Sequence, residues 1–358
     1  MSKRAGIIAC AGFLFAFGAV QMVRSAPQFE RRIERNAEKN PVTPHGAAHC
    51  EGMLNVGYRV QDFSGLKTAI WYPTLAAETS FQYPAGYVSP LAPDAPVANC
   101  GAKYPLVLFS HGYGGCGTQS TYFTEAIARA GYIVVAPDHK DSQCKIDRAS
   151  HISILAFLRN EEEPFRHPEK WSESTYRERY NDMETLLNEL PNDPQLGGKI
   201  DFSRIAATGH SLGGYVAAAL GGAWPSWKDN RIKAVLMLCP YLEAFQTAGT
   251  LGSVQVPVMI EGGTKDPRST PAVKKAGGAY DKLGSPKYFV DFQGAGHLTF
   301  TQLACEKYGS NQACLDNLPL PRAINEYGIA FLNRYLKNRP EPLLDRANQQ
   351  LADYRHTS

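Results

Sequence analysis

Residues 204–214, with the sequence Arg-Ile-Ala-Ala-Thr-Gly-His-Ser-Leu-Gly-Gly, decide the fold. The first five residues are typical of a buried strand, and an Ala-rich helix is predicted to follow over residues 212–221. Between them, glycines two positions before and after Ser211 permit the tight strand-to-helix turn that exposes a nucleophilic hydroxyl. Because both flanking elements are of the required type, the pattern favours a catalytic serine over an ordinary glycine-rich helix start.

The rest of the chain alternates strands and helices around this turn. Short β-branched and apolar runs predict buried strands, and an antiparallel hairpin over residues 56–61 and 67–72 precedes them. This order predicts an α/β fold with a mostly parallel central sheet and helices on both faces. The predicted strands cover residues 105–110, 132–136, 204–208, 233–238, 256–260 and 287–292, and the predicted helices cover residues 120–130, 174–190, 212–221, 271–283 and 324–336.

A histidine late in the chain is in the position expected for a general base. His297 follows the last predicted strand in the run Gly-Ala-Gly-His, and the only other histidine beyond that strand is His356 in the tail. A lone histidine is commonly structural, but this position favours His297 as the base that takes the serine proton.

A carboxylate must orient that imidazole, and in the expected chain order it lies between the serine and the histidine. Asp266 lies in the loop after the predicted strand 256–260, and we choose it as the acid. Glu243, which follows the preceding strand, is the competing candidate. Glu261 and Asp291 lie on strands and are predicted to be structural.

Two backbone amides are expected to stabilise the oxyanion that forms when a serine attacks an acyl group. The amide of Leu212, directly after the serine, supplies one of them. The loop after the predicted strand 105–110 reads His-Gly-Tyr-Gly-Gly over residues 111–115, and we assign the second donor to the amide of Tyr113. The glycines allow this loop to bring its backbone against a substrate.

The first 25 residues have the pattern of a secretory signal peptide. Lys3 and Arg4 precede an apolar stretch over residues 5–23, and cleavage after Ser25 satisfies the preference for small residues at the cut. The alternatives are an uncleaved membrane anchor and a lipid-modified Cys10. We therefore expect a secreted or periplasmic protein that has no stable membrane insertion once the signal is removed.

The remaining chain is predicted to form one domain with short extensions. Residues 26–52 read as a leader and linker, residues 53–338 as the main domain and residues 339–358 as a polar tail. Two long intervals, 74–103 and 140–171, are predicted as irregular, cap-like insertions beside the expected cleft. We expect the protein to be a monomer.

Export to an oxidising compartment allows six cysteines to pair. Cys239 closes an apolar run and is predicted to be a buried thiol. Since spacing does not fix connectivity, the pairs are hypotheses. They are Cys305 with Cys314, which are closest in sequence, Cys116 with Cys144, and Cys50 with Cys100.

Charge and motif content argue against several classes of function. The 358 residues carry a formal net charge of +3 and no long Lys/Arg run, which gives no electrostatic reason to expect a nucleic-acid partner. His45 and His49 beside Cys50 have a metal-ligand spacing, but Pro44 and Gly46 argue against a helix that holds them on one face. We expect neither a metal nor an organic cofactor.

Together the motifs resemble a known superfamily. Residues 105–115, residues 135–139 and the serine turn are similar to the platelet-activating-factor acetylhydrolase and dienelactone-hydrolase-like branch of the α/β-hydrolases, and to bacterial cutinases and polyester hydrolases. The likeness covers roughly residues 56–336 and implies the α/β-hydrolase fold and a serine mechanism without specifying a substrate. It implies the roles given above for Ser211, His297 and the two amides.

The resemblance differs among branches at the acid. Mammalian acetylhydrolases place it after the strand equivalent to 233–238, where this chain has Cys239 and Pro240, so Asp266 follows the arrangement of the polyester hydrolases. In those enzymes an aromatic residue after the same strand flanks the scissile ester, and Tyr241 occupies the matching position; a packing role is the alternative. Dienelactone hydrolases use a cysteine nucleophile, and the serine here counts against that reaction.

The expected activity is hydrolysis of carboxylic esters, of the esterase or lipase type, through an acyl-enzyme. The substrate is expected to be a small-molecule, lipid or polymer ester. An acyltransferase or peptidase with the same triad is an alternative, and so is a non-catalytic secreted binding protein on the same fold. The complete set of serine, base, acid and glycine-rich loop argues against the binding protein.

Overall fold

Apolar runs with little polar interruption form the centre of the sheet. The computed structural model describes residues 54–143, 165–347 and 351–358, and in it Tyr104–Ser110 and Ile133–Pro137 are buried at every position. A strand covered on both faces needs apolar side chains on both, which is why these runs do not alternate with polar residues.

The described residues contain one sheet of eleven strands. The strands are β1 (Asn55–Phe63), β2 (Leu66–Thr74), β3 (Thr79–Gln82), β4 (Val88–Pro93), β5 (Tyr104–Ser110), β6 (Ile133–Pro137), β7 (Ile200–His210), β8 (Ile232–Leu238), β9 (Val258–Gly263), β10 (Lys287–Phe292) and β11 (Leu351–Thr357). Their order is β11-β10-β9-β8-β7-β5-β6-β2-β1-β4-β3. The pairs that connect β6 through β5 and β7 to β10 are all parallel, while β1–β2, β2–β6 and β10–β11 are antiparallel. The predicted hairpin and mostly parallel sheet are confirmed.

Helices cover both faces of this sheet. They are α1 (Thr121–Arg129), α2 (Arg177–Glu189), α3 (Leu212–Ala218), α4 (Glu243–Ala248), α5 (Ser269–Lys274), α6 (Ala279–Lys282), α7 (Asn311–Asn317) and α8 (Pro319–Lys337). Buried residues of α2, α3 and α4 belong to one apolar core, and those of α1 and α8 belong to a second. Two cores on opposite sides of a parallel sheet are the layered arrangement that the α/β prediction requires. Within the described ranges, no helix is long and apolar enough to span a bilayer.

The prediction of one helix over residues 271–283 is wrong. Two short helices, α5 and α6, occupy this interval. Gly277 between them has φ +68°, and a Cβ on Gly278 would lie 2.7 Å from three backbone carbonyl oxygens. The left-handed backbone at Gly277 and the close carbonyls at Gly278 interrupt the helix.

Two segments for which no strand was predicted contain strands. The interval 74–103 includes the antiparallel ribbon of β3 and β4, whose four residue pairs run from Thr79–Leu91 to Gln82–Val88. The tail over residues 339–358 contains β11, which adds an antiparallel edge strand to β10. Most side chains of β11 are at least partly exposed, so it shows little of the apolar pattern on which strand prediction depends.

Some predictions fall outside the described residues. These include the signal peptide, the leader and linker up to residue 52, and residues 144–164 of the second insertion. The pairing of Cys50 with Cys100 stays a prediction because Cys50 lies in the first of these ranges.

In the described part of the chain, one predicted disulfide is present and Cys116 is buried. Cys305 and Cys314 form a disulfide with an S–S distance of 2.02 Å, which is the predicted pair. Cys116 is a buried thiol whose Sγ lies 3.3 Å from the Thr118 hydroxyl. Cys144 lies outside the described residues, so the pairing of Cys116 with Cys144 stays a prediction.

A buried carboxyl group connects the β3–β4 ribbon to the helical layer. Glu125 on α1 accepts hydrogen bonds from the Tyr83 hydroxyl at 2.7 Å, the Ser89 hydroxyl at 2.5 Å and the Asn311 amide at 2.8 Å. Burial raises the pKa of Glu125 to about 7, although these three hydrogen bonds and the charge of Arg129 act in the opposite direction. Folding therefore favours the protonated form of Glu125.

This shift predicts a pH dependence of stability. Between pH 4.5 and 7 the folded protein retains a proton on Glu125 that the unfolded chain releases, so the free energy of unfolding falls as pH rises through this range, by about 3 kcal/mol in total. Glu125→Gln carries no titrating proton and is expected to lose this decline. Urea unfolding at several pH values measures the difference. The exposed Glu326→Gln on α8 should retain the wild-type slope; parallel curves for wild type and Glu125→Gln would contradict the prediction.

Candidate active site

Ser211 lies at a sharp turn between β7 and α3. Its backbone has φ 55° and ψ −115°, a conformation that costs a non-glycine residue on the order of 1–3 kcal/mol. The Ser211 amide donates to the Leu238 carbonyl at 2.9 Å, and the Ser211 carbonyl accepts from the Tyr241 amide at 3.0 Å. Both contacts come from the end of β8 and the residues after it, so the neighbouring strand holds the strained turn in place.

The glycines on either side of the serine are required by close backbone contacts. A Cβ on Gly213 would lie 1.9 Å from the Ser110 carbonyl oxygen, and one on Gly209 would lie 2.4 Å from the backbone of Gly213. These distances are shorter than any real carbon contact. The turn therefore packs directly against the carboxyl end of β5, where the predicted oxyanion loop begins.

His297 is paired with Asp266. The imidazole follows β10 in a 3₁₀ turn, and its Nδ1 donates to the Asp266 carboxylate at 2.9 Å, with both side chains at most 3% exposed. Because a neutral imidazole carries one N–H, this bond places the basic lone pair on Nε2. The pair thus has the geometry of a general base and its orienting acid.

Several donors keep Asp266 ionised. Burial alone would raise its pKa, but the charge and hydrogen bond of His297, the Arg268 amide and the Cys239 thiol together hold the pKa of Asp266 well below its usual range. Its second oxygen accepts from the amides of Arg268 and Ser269 at 2.9 and 3.0 Å. A carboxylate held in this way stabilises a positively charged imidazole.

The other acids have different partners. Glu243 pairs with Arg268 at 3.3 Å, and Asp291 pairs with Lys274 at 2.8 Å. Both carboxylate oxygens of Glu261 are buried and have no hydrogen-bond partner in the described part of the protein. The structure therefore brings Asp266, and not Glu243, to His297.

Among the described residues, Cys239, Asp266 and His297 are the only group of three metal-ligand types whose ligand atoms lie within 4.8 Å of one another. In this group the thiol and the imidazole both donate hydrogen bonds to the carboxylate. The arrangement is that of an oriented acid–base pair with a third donor to the acid.

One cavity brings Ser211, His297 and the loop over residues 111–115 together. Ser211 and His297 line it, as do Tyr113 and its neighbouring glycines. The surface of the wall is mostly apolar, and Tyr87 of the β3–β4 ribbon and Leu303 contribute to it. The interval 74–103 therefore contributes residues to the wall of this cavity.

The two residues assigned as oxyanion donors belong to segments next to Ser211. Leu212 is the first residue of α3, where a helix amide has no carbonyl partner one turn earlier. A Cβ on Gly112 would lie 3.4 Å from the Ser211 Cβ, so the loop that carries Tyr113 passes directly beside Ser211.

Tyr241 is not part of the cavity wall in the described structure. Its side chain is 1% exposed and packs against Trp171, with ring centroids 4.7 Å apart, and against Phe165 at 5.1 Å. The structure favours the packing role over the substrate-binding role for this side chain. Its backbone amide still contributes to the site by holding the Ser211 carbonyl.

Two residues without a predicted role connect the loops of the site. Gln119 accepts from the Gly112 amide at 2.9 Å and donates to His210 Nδ1 at 2.9 Å, and His210 Nε2 donates to the His297 carbonyl at 2.9 Å. Burial, followed by the charge of His297, lowers the pKa of His210, so its ring is neutral and makes both bonds. His210 lies inside the serine motif, which was the one sequence signal for it; Gln119 had none.

Sequence comparisons relate this chain to esterases. A family model described as platelet-activating factor acetylhydrolase, isoform II, matches residues 59–153. The platelet-activating factor acetylhydrolase of Gallus gallus is 28% identical over 184 residues, covering 42% of this chain and 43% of that protein. Cutinase 2 of Thermobifida cellulosilytica is 23% identical over 239 residues, covering 66% of this chain and 70% of that protein.

The chain spans less than half the length of some of these relatives. Lipase 1 of Moraxella sp. (strain TA144) is 25% identical over 156 residues, and the match covers 44% of this chain and 41% of the lipase. These matches fit an α/β-hydrolase esterase family, which confirms the resemblance identified from the motifs.

A solved structure supports the same fold. The ferulic acid esterase from Streptomyces cinnamoneus superimposes with a TM-score of 0.57 at 20% identity, over 85% of this chain and 96% of the esterase. Together with the parallel sheet and its two helical layers, this match confirms the α/β-hydrolase fold.

The steric fit of the serine turn predicts the effect of a single methyl group. Gly213→Ala must displace the end of β5, and we expect it to lower the free energy of unfolding by about 3 kcal/mol or more. Urea unfolding measures this loss. Gly198→Ala is the matched control, since a Cβ there meets nothing within 4 Å; equal stability of the two variants would show that the turn tolerates a side chain.

The choice of acid predicts a difference between two similar substitutions. Asp266→Asn removes the carboxylate at His297 and is expected to lower the kcat for ester hydrolysis by about 10³- to 10⁴-fold. Glu243→Gln keeps that carboxylate and is expected to lower kcat by less than about 10-fold. Steady-state kinetics on a p-nitrophenyl ester compare them. The reverse order of effects would identify Glu243 as the acid.

Proposed function

We propose that this chain is a serine hydrolase of carboxylic esters, with Ser211 as nucleophile, His297 as general base and Asp266 as the acid that orients it. The observation that carries the proposal is the convergence of Ser211 and His297 on one largely apolar cavity, with His297 bonded to a buried carboxylate. The names of the matched relatives, an acetylhydrolase, a lipase, a cutinase and a ferulic acid esterase, support ester cleavage.

The proposed reaction has two steps. In the first, Ser211 Oγ attacks the ester carbonyl carbon, its proton passes to His297, and the amides of Tyr113 and Leu212 bind the oxyanion. The carbonyl reforms as the alcohol leaves with the proton from His297. In the second step His297 takes a proton from water, the hydroxide attacks the acyl-enzyme, and Ser211 recovers its proton as the acid is released.

The lining of the cavity supports an ester with an apolar portion next to the scissile bond. Tyr87, Leu298 and Leu303 offer apolar surface around the nucleophile, and none of the described residues that line the cavity is Asp, Glu, Lys or Arg. Because Tyr87 comes from the β3–β4 ribbon, this insertion contributes to the choice of substrate. Acyltransfer to an alcohol instead of water uses the same groups and is the competing activity.

Secretion is part of the same proposal. The basic and apolar pattern of residues 1–25 supports export, and the disulfide between Cys305 and Cys314 supports an oxidising compartment.

Replacement of the nucleophile tests the proposal. Ser211→Ala is expected to lower kcat for a short p-nitrophenyl ester by about 10⁴-fold or more while the thermal midpoint of unfolding changes little. A fluorophosphonate probe should label the wild type once and fail to label this variant. Ser203→Ala, an exposed serine near the amino end of the same strand β7, is the control that retains activity and labelling.

Three outcomes would contradict the proposal. Ser211→Ala with wild-type turnover would remove Ser211 from the reaction. A folded wild type that neither turns over esters of several acyl lengths nor reacts with the probe would indicate a binding protein. Faster product formation with an alcohol acceptor than with water would indicate an acyltransferase.

A further inference from the structure

A fully buried guanidinium lies against the oxyanion loop. Arg179 on α2 is 0% exposed, and its Nη1 donates to the His111 carbonyl at 2.6 Å and lies 3.3 Å from the Ser110 hydroxyl. Its Nη2 donates to the Gly112 carbonyl at 3.2 Å. Burial of an arginine costs free energy unless each of its N–H donors has a hydrogen-bond partner, and the backbone of this loop supplies such partners.

The Gly112 carbonyl fixes the direction of the next amide. It accepts from Arg179, from His111 Nδ1 at 2.7 Å and from the Gly115 amide at 3.1 Å. The Gly112–Tyr113 peptide is trans, since Ser285–Pro286 is the cis bond of the described chain. In a trans peptide the C=O and the N–H point in opposite directions. The Tyr113 N–H therefore points away from Arg179.

A carboxylate fixes the peptide on the other side of Tyr113. Asp141 pairs with Arg179 through two oxygens at 2.9 and 2.7 Å, and its Oδ2 also accepts from the Gly114 amide at 3.1 Å. Both peptide groups that flank Tyr113 are thus bound to one ion pair. Rotation of either peptide would break a charge-assisted hydrogen bond.

From this geometry we infer that Arg179, with Asp141, is a positioning residue that aims the Tyr113 amide at the oxyanion. The inference rests on the proposed function and extends it to a residue that touches neither substrate nor nucleophile. A cation on the Gly112 carbonyl also polarises the peptide, which makes the Tyr113 N–H a stronger donor. Arg179 thus contributes to transition-state binding through the backbone.

The ion pair is present throughout the pH range in which the enzyme would work. Burial alone would raise the pKa of Asp141, but the charge of Arg179, the charge of His111 and the bonds from Arg179 and the Gly114 amide lower it to about 2. Arginine stays protonated in proteins. An ionised Asp141 keeps its contact with the guanidinium of Arg179.

The test compares Arg179→Lys and the double variant Arg179→Gln/Asp141→Asn with wild type. Lysine keeps the positive charge but lacks the planar guanidinium group that binds several acceptors at once. The double variant removes both charges without leaving an unpaired carboxylate. Arg59→Lys is the control, because Arg59 on β1 is also buried and pairs with a buried Asp193 at 3.5 Å, but does not line the cavity. Thermal unfolding checks that all variants are folded.

Two kinetic readouts separate positioning from a structural role. The first is kcat and KM for a p-nitrophenyl ester. The second is Ki for a trifluoromethyl ketone, whose carbonyl carbon bonds to Ser211 Oγ while the serine proton passes to His297 and the carbonyl oxygen becomes an oxyanion. A fluorophosphonate titration counts active sites, so that loss of folded enzyme is not mistaken for weaker catalysis.

The inference predicts a loss in transition-state binding alone. We expect kcat per active site to fall by about 10²- to 10³-fold in the double variant, with KM nearly unchanged and Ki raised by a similar factor. Arg179→Lys should show a smaller loss, and Arg59→Lys should show none.

Other results overturn the inference in distinguishable ways. Folded Arg179 variants with wild-type kcat and Ki, or with fewer active sites and unchanged Ki, would overturn the positioning role while leaving the proposed function intact. A folded wild type without esterase activity or affinity for the ketone would overturn both.

Discussion

The close approach of the serine turn to the end of β5 is the constraint on which the site depends. At Gly213 the volume that a side chain would need is filled by the Ser110 carbonyl. Because the loop over residues 111–115 continues directly from Ser110, the same contact places this loop beside Ser211, the proposed nucleophile. Packing of the sheet and assembly of the site thus share one steric requirement.

Buried polar contacts then fix the loops relative to one another. Gln119 and His210 link the loop over residues 111–115 to the backbone of His297. Arg179 and Asp141 form hydrogen bonds with the backbone of the same loop. A buried polar group is stable only when it is hydrogen-bonded, so networks of this kind favour one loop arrangement over others. The loops that carry Tyr113, Ser211 and His297 are therefore tied to one another by buried hydrogen bonds.

Sequence patterns predicted the centre of the fold better than its edges. The central strands lie within a few residues of their predicted positions because side chains covered on both faces must be apolar. The edge strand β11 and the β3–β4 ribbon were missed, since exposed strands depend on backbone pairing with a neighbour, which leaves little trace in composition. The spacing of apolar residues favoured one helix over residues 271–283, but Gly277 and Gly278 interrupt it.

The sequence by itself determined the parallel sheet, the serine turn and the late histidine, because glycine spacing and apolar runs are local properties of the chain. The sequence favoured Asp266 over Glu243 as the acid, but only the tertiary structure showed that Asp266 meets His297, 31 residues away, and that Tyr241 packs in the interior. The tertiary structure also decided that Arg179, on a charged helix, is buried 68 residues from the carbonyl it binds. Such contacts depend on how distant elements pack, and no local pattern encodes which of several charged side chains will be covered.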